Sequence, residues 1–371
     1  MKTRACGVKI ARARSRVPSR IIASALCLLA ALAPARAEEW TVLRERDRDY
    51  VTFANVAKFY QFPEYNRVSS SVSLRAPQRV IRAQAGSSEL FINGIRFFTS
   101  FPLLTRGDQD LIAASDVAKI VEPILRPSRI SGASAVETVV LDPGHGGTDS
   151  GASNAWGSEK AFTLDVALRA AEALRREGFK VEMTRTKDVD VSLEDRVAFA
   201  NKFPRGIFVC IHFNTSSGGS GLESYALSPA GAPSNASTEN HSASSDVQAC
   251  GGNAFDAANI ALTAAIHAAA VTRIGMNDRG VRHARFHVLR DVKIPAVLVE
   301  GGFLSDPVEG PRIATAAFRQ QLAGAIAQGV KTYNTAVNYR NNAATFASAK
   351  IDLPPHRQSI TEPLRPEPVI P

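Results

Sequence analysis

Three apolar runs in this 371-residue chain each end in a polar block whose residue types could do chemistry. Thr138–Leu141 leads into Asp142-Pro143-Gly144-His145-Gly146-Gly147, Ile207–Ile211 into His212-Phe213-Asn214, and Ala296–Val299 into Glu300-Gly301-Gly302-Phe303. Glu159 stands where the amphipathic segment headed by Phe162 begins. Two imidazoles and one carboxylate make three ligands of a catalytic zinc site, with the fourth position left to water. A second carboxylate outside the ligand set can serve as general base. The glycines after His145 and Glu300 let backbone approach closely. A single histidine at a strand end is ordinarily a satisfied polar residue. Four such groups at one rim point to metal-assisted hydrolysis.

Other residues are weighed against this set. Glu223, on the apolar run after His212, is the rival base. Asp142 either orients a ligand or caps the turn after Pro143, and the turn is favoured. His267 falls at helical spacing with Ile260, Ala264, Val271 and Ile274, the pattern of a core histidine. His283 and His287 are candidates for the wall of a substrate groove. Arg185 either holds a substrate carboxylate or pairs with a nearby acid. His241 sits in a Ser-rich loop and reads as solvated.

The elements that must position these residues alternate. Thr138–Leu141, Lys180–Thr184, Ile207–Ile211, Leu222–Leu227, Phe286–Leu289 and Ala296–Val299 read as strands. Phe162–Glu177, the segment capped by Ser192, Ala254–Ile274 and Pro311–Tyr333 read as helices, and Gly178 and Gly275 stop two of them. The near-continuous apolar strands predict an α/β fold over 136–334, a mostly parallel sheet with helices on both faces. In open α/β sheets ligands bind beyond the carboxyl ends of the strands, which is where the four groups stand. Residues 38–125 read as a small α+β module, with Asn93-Gly94 as a hairpin turn, and 126–135 as a linker. Pro354, Pro355, Pro363, Pro366, Pro368 and Pro371 make the 335–371 segment a Pro-rich, disordered tail.

Val139–Gly147, Glu159-Lys160, Val209–Asn214 and Val297–Ser305 resemble, in order, the signature blocks of the zinc-dependent N-acetylmuramoyl-L-alanine amidases, a cell-wall amidase family. The resemblance covers about 136–334. It implies that His145, Glu159 and His212 hold Zn2+ and that Glu300 is the catalytic carboxylate. The implied reaction is hydrolysis of the amide joining the lactyl group of N-acetylmuramic acid to L-alanine in peptidoglycan. Phe213 departs from the small residue that many relatives carry there. Some relatives also have a helical insertion that covers the zinc until a protein activator removes it. The Ser-, Ala- and Gly-rich 228–253 segment does not read as such a helix, and any activator is unknown. The 38–125 module is similar to the small N-terminal modules of copper amine oxidases and many envelope enzymes, but it holds no His or Cys to bind copper. The alternatives are another zinc hydrolase acting on stem peptides, such as a carboxypeptidase, and a non-catalytic wall-binding protein.

The formal charge of +9 imitates a nucleic-acid binder. Residues 1–37 hold eight basic residues and no acid, which leaves 36 basic against 35 acidic residues elsewhere. The excess belongs to the leader, so no nucleic-acid partner is expected. Its basic stretch, its apolar run Ile21–Ala33 and Ala35-Arg36-Ala37 form a signal peptide over 1–37. The apolar run is shorter than a bilayer span, which needs roughly 20 residues. The expectation is export to the periplasm or cell envelope without a stable membrane anchor. Cys210 and Cys250 remain after cleavage, and Cys210, inside an apolar run, reads as a buried hydrophobe.

Overall fold

The computed structural model describes residues 40–236 and 247–339. The expected leader, His241 and all but the first residues of the tail lie outside them. The module contains β1 (Val42–Glu45), β2 (Arg48–Thr52), β3 (Glu64–Val68), β4 (Ser71–Ala76), β5 (Arg79–Gln84), β6 (Glu89–Ile92), β7 (Ile95–Phe98), β8 (Leu104–Arg106) and β9 (Gln109–Ala113). The remaining strands are β10 (Thr138–Pro143), β11 (Ser153–Asn154), β12 (Gly157–Ser158), β13 (Lys180–Met183), β14 (Gly206–Asn214), β15 (Leu222–Leu227), β16 (Asp278–Ala284) and β17 (Ala296–Phe303).

One sheet runs through most of the molecule in the order β13-β10-β14-β17-β15-β16-β7-β6-β5-β4-β3. It is mixed, which corrects the expectation of a mostly parallel sheet. β13, β10, β14 and β17 are parallel to one another, but β15 runs antiparallel to β17. The cause is the short connection from Asn214 to Leu222. β15 lies on the far side of β17 from β14, and seven residues are too few to carry the chain back to the other end of the sheet for a strand parallel to β14, so β15 runs the opposite way. β16 is parallel to β15 and to β7, and β7 through β3 form an antiparallel meander. The β6–β7 turn is Asn93-Gly94, with φ of 54° and 84°. Positive φ at both central residues is what a type I′ hairpin turn requires. β1, β2, β9 and β8 form a separate four-stranded sheet.

Alternation along the strands builds two cores. Val139, Leu141, Val209, Ile211, Val297 and Val299 face the helices Glu159–Arg176, Asp256–Ile274 and Ala316–Val337. Val140, Phe208, Cys210, Leu298 and Tyr225 face the other side, packing with Val197 of Leu193–Ala200 and Leu289 of His287–Arg290. Ser192 caps the first of these helices by accepting the Asp195 N–H. Gly251–Ile274 is long and apolar enough to cross a membrane, yet most of it is buried against the fold.

Phe286–Leu289, expected as a strand, is instead the N-cap and first three residues of the short helix His287–Arg290. The strand is Asp278–Ala284. Its sequence, Asp-Arg-Gly-Val-Arg-His-Ala, lacks the apolar run of a buried strand. It can be interior because its charges have partners: Arg279 and Arg282 pair with Glu223, and Asp278 with His267.

Candidate metal centre and active site

His145 follows β10 in a left-handed conformation, φ 60°. Such a backbone is uncommon for a non-glycine residue and persists only where the surroundings enforce it. Two buried arginines enforce it here. Arg185 donates to the carbonyls of Pro143 (3.0 Å) and Gly144 (2.8 Å). Arg196 donates to the carbonyls of Pro143 (2.8 Å) and His145 (2.9 Å) and to Asp142 Oδ1 (2.6 Å). Asp142 is fully buried. Its oxygens accept from the Thr184, Arg196 and Cys210 side chains, and from neither a turn amide nor a ligand ring among the described residues. It neutralises Arg196 and accepts the Cys210 S–H at 3.1 Å. Gly144 cannot carry a side chain, because a Cβ there would lie 2.3 Å from the His212 ring.

Glu159 is the first residue of its helix and is 4% exposed. His145 Nε2 lies 3.1 Å and His212 Nδ1 2.9 Å from its Oε1. The Phe213 and Ala152 amides donate to its two oxygens at 3.0 Å each. Burial alone would raise the Glu159 pKa; the hydrogen bonds and charges of His145 and His212 outweigh it and hold the carboxyl far below its ordinary range. One donor atom from each of His145, Glu159 and His212 lies within 4.8 Å of the other two. Two imidazole nitrogens and a carboxylate oxygen at this spacing fit a divalent cation of borderline softness. Asp149 Oδ2 lies 2.7 Å from His145 Nδ1. A carboxylate on the second ring nitrogen fixes the tautomer and leaves Nε2 for a metal.

Glu300 is the cross-strand neighbour of His212 on one side and of Glu223 on the other. Its Oε2 is buried with no hydrogen-bond partner among the described residues. Burial first, then the charges of Glu159 and Glu223, push its pKa well above the usual carboxylate value. Glu300, His145, Glu159 and His212 all line one cavity of about 530 Å3, walled also by Asn214, Leu193, Phe286 and His287.

The rival residues sit elsewhere or serve differently. Glu223 is fully buried, bonded to Arg279 at 2.7 Å and to Tyr225 Oη at 3.0 Å. His267 is a core histidine held by Ser224 Oγ (3.0 Å) and Asp278 (2.9 Å). His287 lines the cavity, as expected of a groove residue. His283 does not: it is buried at the seam between the two halves of the sheet, with neither ring nitrogen partnered among the described residues. Arg185 is consumed by backbone carbonyls. Cys210 and Cys250 are both free. Asp149 and Arg196 were not among the sequence candidates. Asp149 had a signal, lying four residues beyond His145 in the same polar block. Arg196 had none beyond its place one residue before the inward-facing Val197.

The family model described as N-acetylmuramoyl-L-alanine amidase matches residues 139–332. The sporulation-specific N-acetylmuramoyl-L-alanine amidase of Bacillus subtilis is 34% identical over 52% of this chain and 66% of its own length. The N-acetylmuramoyl-L-alanine amidase AmiA of Escherichia coli is 33% identical over 62% of this chain and 87% of its own. Among solved structures, the amidase AmiC2 of Nostoc punctiforme is 32% identical, covering 53% of this chain and 96% of that one, with a TM-score of 0.44. The four blocks that build the cavity wall all fall inside the matched region, and the chain belongs to the N-acetylmuramoyl-L-alanine amidase family.

Proposed function

We propose that this chain hydrolyses the amide between the lactyl group of N-acetylmuramic acid and L-alanine in peptidoglycan, with His145, Glu159 and His212 holding zinc and Glu300 as the catalytic carboxylate. The observation that carries the reading is the shared cavity: three convergent donors and, beside them, a carboxylate whose Oε2 has no partner. Zinc, when bound, supplies a Lewis acid that lowers the pKa of water toward about 7 and polarises the scissile carbonyl. Asp149 keeps His145 in the tautomer that presents Nε2. The Arg185 and Arg196 contacts hold the His145 backbone so that no reorganisation is needed at the moment of reaction. Glu300 takes the proton from the attacking water and returns it to the departing alanine amine. Its raised pKa suits a group that must act as base in one half of the reaction and acid in the other.

The same reading includes a signal peptide over 1–37 that exports the chain to the periplasm or cell envelope, a module at 38–125, a linker at 126–135, the catalytic domain at 136–334 and a Pro-rich tail at 335–371. Mass analysis of muropeptides digested by the purified chain tests the reaction. The expected products are intact stem peptides with a free N-terminal alanine and a muramic acid with a free lactyl carboxylate. Loss of a C-terminal amino acid with the lactyl amide intact would assign a carboxypeptidase instead.

A further inference from the structure

The active-site face of the long sheet continues past the catalytic strands. Glu300 stands opposite Glu223, Glu223 opposite Gly280, and β16 joins β7 through Val281 and Phe97. From β7 outward, Arg96 stands opposite Phe91, Phe91 opposite Arg82, and Arg82 opposite Ser73. Side chains alternate along a strand, so Phe98 shares the face of Arg96. The Arg282 guanidinium stacks 3.8 Å over the Phe98 ring and lies 3.4 Å from Glu223, which ties this face to the catalytic one. Leu74, Ile81, Ile92 and Phe97 point the other way and are buried. Arg82 is exposed, while Phe91, Arg96 and Phe98 are partly exposed.

The guanidiniums on this face are under-used. Arg82 has no side-chain partner among the described residues. Arg96 has Glu89 at 3.8 Å, and its Nε makes no hydrogen bond. Apart from Glu300 in the cavity, the other carboxylates of the face are Glu223, already paired with two arginines, and Glu64 on the edge strand, opposite Arg75. Planar cations interleaved with aromatic rings suit carboxylates carried on an organic backbone. Within peptidoglycan the glycan is uncharged along its length, and the free carboxylates lie on the stem peptides.

We propose that this face is a binding track for stem peptides, leading from the catalytic cavity over the partly exposed Arg279 and Arg282, which pair with the buried Glu223, and across the seam onto the module. Strands are spaced about 4.8 Å apart. Arg96 is three strands from Glu300, about 14 Å, and Arg82 is five strands away, about 24 Å. A five-residue extended peptide spans about 17 Å. Arg96 thus receives a carboxylate of the stem whose first amide is cleaved, and Arg82 one on a second stem cross-linked to it. The inference rests on the hydrolase reading above and adds the substrate class: cross-linked stems over single ones.

The test compares the full chain on an uncross-linked muropeptide and on its cross-linked dimer. Arg82→Glu should lower the ratio of kcat/KM for dimer over monomer about five- to tenfold, with the loss in KM, and Arg82→Lys should recover most of it. Arg96→Gln should raise KM for both substrates. Added salt should raise the wild-type KM for the dimer more steeply than that of Arg82→Glu. An unchanged ratio in Arg82→Glu overturns the track whatever becomes of Arg96→Gln, because Arg82 is an exposed, unpartnered side chain whose loss leaves the fold intact. A wild-type chain that cleaves both substrates while the ratio stays fixed removes the track alone. A wild-type chain that cleaves neither removes the hydrolase reading and the track with it.

Discussion

The two halves of the long sheet bury their strands by different rules. β10, β14 and β17 are covered by helices on both faces, are apolar along their length apart from Thr138 at the start of β10, and carry ionisable acids and histidines only at their carboxyl ends. β4 through β7 are covered on one face only, and alternate buried aliphatics with Ser73, Arg82 and Arg96. In the first half Asp142, Glu159 and Arg196 are each set inside a dense group of partners, and Glu300, with its bare Oε2, is the exception the chemistry uses. In the second a charge can stand alone because water reaches it. The same substitution should therefore have very different consequences on the two sides of the seam.

The largest contrast is chemical. Glu300→Gln should cut turnover by about 10²–10⁴-fold while zinc content stays near wild type, as general-base loss requires. Glu159→Gln and His212→Ala should instead lose metal, which elemental analysis of the purified variants reads directly. If Glu223→Gln abolished turnover while Glu300→Gln did not, the base would lie on the other strand of the pair. Next comes Arg196→Met, which strands Asp142 as a buried, uncompensated charge. Denaturant titration should show a loss of about 3–5 kcal/mol, whereas Arg75→Met on the open face should stay within about 0.5 kcal/mol. Equal losses would erase the distinction between the halves.

His283 sharpens the comparison, since it stands at the seam, buried like the first half but unpartnered. Burial lowers its pKa from 6.5 to about 4. The unfolded chain takes up a proton near pH 6.5 and the folded chain only near pH 4, so stability falls as pH drops through that window. The loss approaches roughly 3 kcal/mol at its lower end. His283→Leu should flatten the curve of unfolding free energy between pH 6.5 and 4. A curve as steep as wild type would mean that the imidazole is solvated. A smaller loss than at the seam belongs to the module's hairpin: Gly94→Ala, at φ 84°, should cost about 1 kcal/mol in thermal or denaturant unfolding and leave zinc binding alone.

How much of this was legible in the sequence follows the same division. His145, Glu159, His212 and Glu300 were found because strand ends announce themselves when the strands are apolar on both faces. β16 was missed, and a strand was placed at Phe286–Leu289, because the hydrophobic pattern of β16 is overwritten by arginines whose partners lie on another strand. The antiparallel β15 could have been read from the seven residues between Asn214 and Leu222, which are too few to cross over. The joining of module and catalytic sheet was not legible, since a pairing between Phe97 and Val281 leaves no local periodicity. Arg196 escaped for a related reason: a buried cation is defined by the carbonyls and carboxylate around it, and those come from segments some fifty residues away.

That joining also dictates an order of events when the chain folds. The contact between the Arg96 amide and Asp278 closes a loop of 182 residues, and pairings so distant in sequence form slowly. Delivered N-terminus first, the meander β3–β7 can zip up early from local hairpins, but the outer edge of β7 must then stay unpaired until β16 arrives. A waiting edge is a template for the wrong neighbour. Arg96, set in the middle of β7, supplies the kind of charge that discourages such encounters during the interval.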